Sequence, residues 1–138
     1  MKLADELKSA IRKEGEAAYP NECCGVVLGE ISGRGDCVAV RLLPVPNARD
    51  GSETWHRYEI APEDFLRAER EARSLGLDII GIYHSHPDHP AVPSEFDLKT
   101  ALPWYFYAIV SVADGRAAEL TNWKLADDGS RFVREAEN

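Results

Sequence analysis

The stretch Tyr83-His84-Ser85-His86-Pro87, followed after six residues by Ser94-Glu95-Phe96-Asp97, gathers side chains able to hold a metal ion. His84 and His86 stand two residues apart at the end of an apolar run. In an extended chain alternate side chains share a face, roughly 6.5 Å apart along it, so two imidazoles so placed can converge on one cation. Asp97 comes three residues after Ser94, which on a helix puts both on one face near the first turn. A proline-bounded loop would fold that turn back over the strand end. Two nitrogens and one carboxylate oxygen leave a fourth tetrahedral position for water, the pattern of a catalytic rather than a structural zinc site. Imidazole with carboxylate suits zinc better than magnesium or calcium.

Each of these residues also has a plainer reading. Histidines are common in exposed loops, and Pro87, Pro90 and Pro93 could simply shape a turn. Ser94 could be only a helix cap, and Asp97 could only complement the helix dipole. A His-x-His pair alone carries little; a strand-end pair with a downstream Ser-x-x-Asp carries more. Hydrolysis also needs a carboxylate to move a proton from water to the leaving nitrogen. No His-Glu-x-x-His segment is present, and position alone nominates Glu22, just ahead of Cys23-Cys24-Gly25. The plain alternative is that Glu22 is an exposed loop acid, like most of the 24 acidic residues.

The elements that must position these residues follow from periodicity and turn chemistry. Residues 1–18 read as a helix with Leu3, Leu7, Ala10 and Ile11 on one stripe. Strands are expected at 24–31 and 37–45, joined by a turn at 32–35, with a polar loop at 46–54 and a short strand at 55–60. Pro62 opens a second helix that Gly76 ends. A buried strand spans 77–83, a His- and Pro-rich loop 84–93, and Ser94 caps a short helix to about residue 102. Strands at 104–112, 117–125 and 131–135 complete the chain, the turns between them carrying Asp114-Gly115 and Asp128-Gly129. Trp55, Trp104, Tyr105, Tyr107 and Trp123 fall on these strands, and most should be core. The expectation is one α+β domain over residues 1–138, a mostly antiparallel mixed sheet flanked by two or three helices.

Composition narrows the function classes. The 138 residues are 44% hydrophobic and 29% charged, close to the globular average. No apolar run approaches the roughly 20 residues of a membrane helix, and the N-terminus lacks a secretory pattern. Three cysteines, two adjacent, do not form a disulfide framework, so a reducing cytoplasm is expected and Cys23 and Cys24 read as buried small apolar residues. A net charge of −8 argues against broad nucleic-acid binding.

Glu22-Cys23-Cys24-Gly25, Gly81-Ile82-Tyr83-His84-Ser85-His86-Pro87 and Ser94-Glu95-Phe96-Asp97 together resemble the motif of the JAMM metalloproteases, the catalytic branch of the MPN (Mov34/PAD-1) domains. Arg57 to Asp64 is similar to small bacterial and archaeal members. The resemblance implies one catalytic zinc ion on His84, His86 and Asp97, with Glu22 as general acid/base. It implies that the Ser94 hydroxyl helps stabilise the tetrahedral intermediate, and that Ser85 and Pro87 are structural. His89 matches no motif position and reads as a solvent-exposed rim residue. The implied reaction is hydrolysis of the peptide or isopeptide bond after the C-terminal glycine of a ubiquitin-like or sulfur-carrier protein. A Gly-Gly tail could dock as an added β-strand. Two other classes share parts of the pattern: a RadC-like DNA-repair-associated protein, and a non-catalytic MPN interaction scaffold. The Glu-Cys-Cys-Gly segment and acidic charge count against the first, the complete residue set against the second.

Overall fold

The computed structural model describes residues 1–49 and 51–136; Asp50, in the expected polar loop, and Glu137 and Asn138, at the end of the expected domain, lie outside the described residues. The chain runs α1 (Asp5–Ala18), β1 (Cys24–Ile31), β2 (Cys37–Val45), α2 (Pro62–Leu75), β3 (Asp78–Pro87), α3 (Glu95–Thr100), β4 (Phe106–Ala113), β5 (Arg116–Leu125) and β6 (Phe132–Arg134). The strands form one sheet in the order β2-β1-β3-β4-β5-β6. Only β3 and β4 are parallel, which fits the long connection through α3 between them. The other strand pairs are antiparallel, and Lys2 adds an isolated parallel bridge to Val38 of β2. This is the α+β architecture expected, with three helices.

Helices cover both faces of the sheet centre, so β1, β3 and β4 are apolar runs rather than alternations. Ile11 of α1 packs in one cluster with Val27, Tyr83, Val110 and Val112. Ala68 and Ala72 of α2 pack with Val26 and Leu28. A third cluster, Cys24, Tyr58, Ile82 and Tyr107, continues the α2 side toward the chemistry-bearing end of β3. The side-chain period of two therefore sends Ile82, His84 and His86 to one face, and Tyr83 and Ser85 to the other. Among the described residues no helix is long and apolar enough to cross a membrane.

Six expectations need correction. The first helix begins at Asp5, because Lys2 instead pairs with β2 through bonds to Cys37 O and from Ala39 N. Leu3 still reaches the core. Residues 55–60 are not a strand: a turn occupies 51–56, with His56 and Arg57 both donating to Glu53 O. The segment beyond it is tied to Asn47, whose side chain donates to Arg57 O and accepts from Glu59 N. β3 runs on to Pro87, so both histidines sit inside a paired strand rather than in a loop. The third helix ends at Thr100 rather than near 102, and β4 begins at Phe106 because Tyr105 N turns back to Leu102 O. Trp55 and Trp104 are consequently exposed, at 53% and 65%, and Tyr107 alone of the five aromatic residues is fully core.

Candidate metal centre and its cleft

Parallel pairing to β4 carries β3 three residues past its antiparallel partner β1, which ends opposite His84 at Cys24. His84 and His86 thus project from a strand fixed on its β4 side. Tyr58 lies over the His84 ring, centroids 4.4 Å apart and planes 24° from parallel. His86 is oriented by its Nδ1, 2.9 Å from Pro90 O. A carbonyl can only accept, so Nδ1 carries the proton and the neutral ring presents its Nε2 lone pair inward.

The connection to α3 is held at two points. Asp88, in left-handed conformation at φ 57°, donates its N–H to Val112 O and accepts from Asp114 N and the Tyr19 hydroxyl. Further on, Ala91 O accepts the Thr121 hydroxyl at 2.6 Å. Ser94 then caps α3: its Oγ accepts Asp97 N–H at 3.0 Å, and Asp97 Oδ2 accepts Ser94 N–H at 2.9 Å. The cap therefore aims a buried carboxylate back at the strand end. Both plain readings of Ser94 and Asp97 are true, and neither excludes a second role.

The outcome is a tight triangle. His84 Nε2 and His86 Nε2 are 3.2 Å apart, and Asp97 Oδ2 is 3.3 and 3.1 Å from them. For zinc bonded at about 2.0–2.1 Å in tetrahedral geometry, adjacent ligand atoms should be about 3.3 Å apart. Three inward lone pairs at this spacing repel unless a proton or a metal cation lies among them. The residues present therefore fit a metal ion. Burial pushes the His84 ring below its ordinary pKa against the pull of Asp97, which keeps the lone pair available. For His86, burial lowers the pKa but the Asp97 carboxylate and Pro90 carbonyl outweigh it. Burial pushes the Asp97 carboxyl up, yet the His84 charge and the hydrogen bonds of His84, His86 and Ser94 N–H hold it well below the usual carboxylate range.

Glu22 is buried, not an exposed loop acid. A carboxylate oxygen of Glu22 and a nitrogen of each of His84 and His86 lie within 4.8 Å of one another. Burial drives its pKa up to about 8, with His86 pulling it down and Asp97 pushing it up. Glu22 Oε1 is buried with no partner among the described residues. Its backbone is fixed by N–H donation to Thr54 O at 2.6 Å and by the Cys23 N–H bond to Ser85 Oγ at 2.8 Å. Ser85 thus has the structural part expected of it, linking the Glu22 loop to the histidine strand.

A cleft opens beside the triangle, lined by Glu22, His56, His86, His89, Pro90, Val92 and Ser94. His89 is on the exposed rim, as expected. Burial pushes the Cys23 and Cys24 thiols up to about 11 and about 12. Neither joins the group of buried metal donors found among the described residues. Sequence reasoning missed Tyr58, Asn47 and His56, because the expected strand at 55–60 hid the turn that places them.

The family profile for prokaryotic homologs of the JAB domain matches residues 4–126. A protein of Haloferax volcanii named Desampylase is 36% identical over 113 residues, 81% of this chain and 77% of its own length. A Thermus thermophilus protein, named as a probable TtuB-protein conjugate cleaving protease, is 36% identical over 80 residues, 58% of this chain and 52% of its length. The solution structure of a Salinibacter ruber protein superposes with a TM-score of 0.79 at 43% identity, covering 99% of this chain and 90% of that one.

Proposed function

The chain belongs to the family of prokaryotic homologs of the JAB domain, and from that premise we propose that it is a zinc-dependent hydrolase of ubiquitin-like or sulfur-carrier conjugates. The bond cut is the amide after the carrier's C-terminal glycine. The observation that carries the reading is the triangle of His84 Nε2, His86 Nε2 and Asp97 Oδ2, with all sides between 3.1 and 3.3 Å. The names of the Haloferax and Thermus relatives support the substrate class.

His84, His86 and Asp97 would hold one zinc ion. Zinc bound there supplies Lewis acidity and brings a water within reach of deprotonation near neutral pH. Glu22 accepts the proton of the attacking water on a carboxylate oxygen and delivers it to the leaving nitrogen. Its elevated pKa suits the second step, and a dication among the neighbouring ligands acts in the opposite direction, favouring the ionised form needed for the first. The Ser94 oxygen is engaged as an acceptor while no bond among the described residues uses its hydroxyl proton. That proton can be donated to the carbonyl oxygen as it gains charge. A glycine before the scissile bond lets an extended chain approach the buried cluster without a side chain to clash.

The test uses carrier proteins ending in Gly-Gly and bearing a C-terminal amino acid, a peptide extension or a lysine-linked partner. They are incubated with the zinc-loaded protein and followed by mass spectrometry, with and without a chelator. Cleavage after the terminal glycine that the chelator abolishes is expected. Chelator-insensitive cleavage, or equal rates with Leu in place of that glycine, refutes the proposal. Failure to cut any carrier combined with tight DNA binding would favour the RadC-like reading instead.

A further inference from the structure

We infer that His56 contacts the substrate main chain in this cleft, using its imidazole to hydrogen-bond a peptide unit of the bound chain. The inference rests on the reading of the cleft as a peptide-bond hydrolase site. His56 lines the cleft together with Glu22, His86, Val92 and Ser94. One short turn fixes the backbone at both His56 and Glu22: His56 N–H donates to Glu53 O at 3.1 Å, and Glu22 N–H donates to Thr54 O at 2.6 Å. Glu53 is itself held by Arg49 at 3.4 Å and Arg57 at 3.1 Å. The imidazole is held by Trp55, ring centroids 4.1 Å apart and planes tilted by 40°, although Trp55 is 53% exposed. The ring is therefore a placed group rather than a loose loop side chain.

Among the described residues no hydrogen bond uses its ring nitrogens. His56 belongs to none of the apolar clusters. Its Nδ1 is buried with no hydrogen-bond partner among the described residues. A buried polar atom without a partner is uncommon and calls for an explanation. With Nδ1 enclosed, Nε2 is the ring nitrogen left to the cleft, and it can meet one C=O or N–H of an extended peptide. A chain lying in the cleft would pass His56 and Ser94, with Glu22 beside the bond to be cut.

The experiment follows the ring-nitrogen resonances of His56 in zinc-loaded Glu22→Gln protein while tetrapeptides ending in Gly-Gly or Ala-Ala are added. It is paired with kinetics of His56→Phe and His56→Gln on a carrier fusion. A His56 resonance that moves with the Gly-Gly peptide is expected. His56→Phe should raise KM roughly 3- to 10-fold, the value of one hydrogen bond, with zinc content and Tm unchanged. His56→Gln should recover most of that loss. Movement with Ala-Ala but not Gly-Gly supports the contact and overturns the carrier-tail reading. A resonance unmoved by either peptide, with the parent protein still cutting carriers, overturns the contact and leaves the function standing. A KM loss in His56→Phe that tracks lost zinc or a lowered Tm also overturns it, since that would be a purely structural role.

Discussion

Ser85 Oγ accepts the backbone N–H of Cys23 at 2.8 Å, joining residues 62 positions apart at the point where the Glu22 loop meets the histidine strand. Ser85 is fully buried and points away from the face that carries His84 and His86. Ser85→Ala would leave a buried N–H unpaired, at a cost of about 1–3 kcal/mol. The expected outcome is a lower Tm and a kcat reduced more than KM is changed, because Glu22 loses its anchor while the ligand triangle stays. Zinc content measured by metal analysis should be unaltered, and a parent-like kcat would show that this bond does not position Glu22.

Asp97→Ala and His84→Ala each remove one corner of the triangle, and each should lose most bound zinc. Two remaining protein donors are too few to hold a catalytic ion firmly. In the parent, zinc at 100 times its Kd should stabilise the fold by about 2.7 kcal/mol. That rise in Tm should vanish in both variants. Full zinc occupancy in either would refute the ligand assignment.

Glu22→Gln keeps the shape of the side chain but cannot shuttle a proton. Hydrolysis should fall by about 10²- to 10⁴-fold with zinc retained. Single-turnover rates on a carrier fusion would check this, and near-parent turnover would place the proton shuttle elsewhere.

Glu14 gives a pH prediction away from the metal centre. Burial raises its pKa from the ordinary 4.5, and the Tyr83 hydroxyl, donating at 2.6 Å, only partly opposes that. A carboxyl whose pKa is higher in the folded state favours folding when protonated. Its contribution is complete below about pH 4.5, the unfolded value, and is lost as pH rises through the folded pKa. Glu14→Gln keeps an acceptor for Tyr83 without the charge. Denaturant titrations should show the variant gaining stability over the parent as pH rises above 4.5 toward neutrality. A stability difference that shrinks over that range would contradict the assignment.

Gly25 sits opposite Tyr83 in the ladder, and a Cβ there would stand 2.2 Å from the tyrosine ring. Gly25→Ala should destabilise by about 1–3 kcal/mol through overpacking. Tyr83→Ala should remove the clash, so a double-mutant cycle should show the two changes coupled. Additive effects would mean that the close approach of Tyr83 is not what requires glycine.

The sequence by itself determined the elements and the chemical types at the site. β1 and β2 are found at the expected residues, because apolar β-branched runs broken by Ser-Gly-Arg-Gly leave the chain few alternatives. α2 opens at Pro62 and ends at Gly76, which adopts the left-handed conformation at φ 68°. Ser94 caps the third helix as expected. These are local effects, decided within a few residues by dihedral preference and hydrogen bonding.

Tertiary structure decided what no local window contains. His84 and His86 lie in a strand rather than a loop because β4 pairs with them from 25 residues downstream. Glu22 is buried because Thr54 and Ser85, distant in sequence, fix the backbone on either side of it. Residues 55–60 have the composition of a strand, yet join no strand ladder and bond instead to Asn47 and Glu53. That choice brings Tyr58 onto His84 and His56 into the cleft. The physical reason is common to all three: backbone hydrogen bonds must be satisfied by whatever partner the folded chain brings near, and partners far apart in sequence leave no periodicity to read.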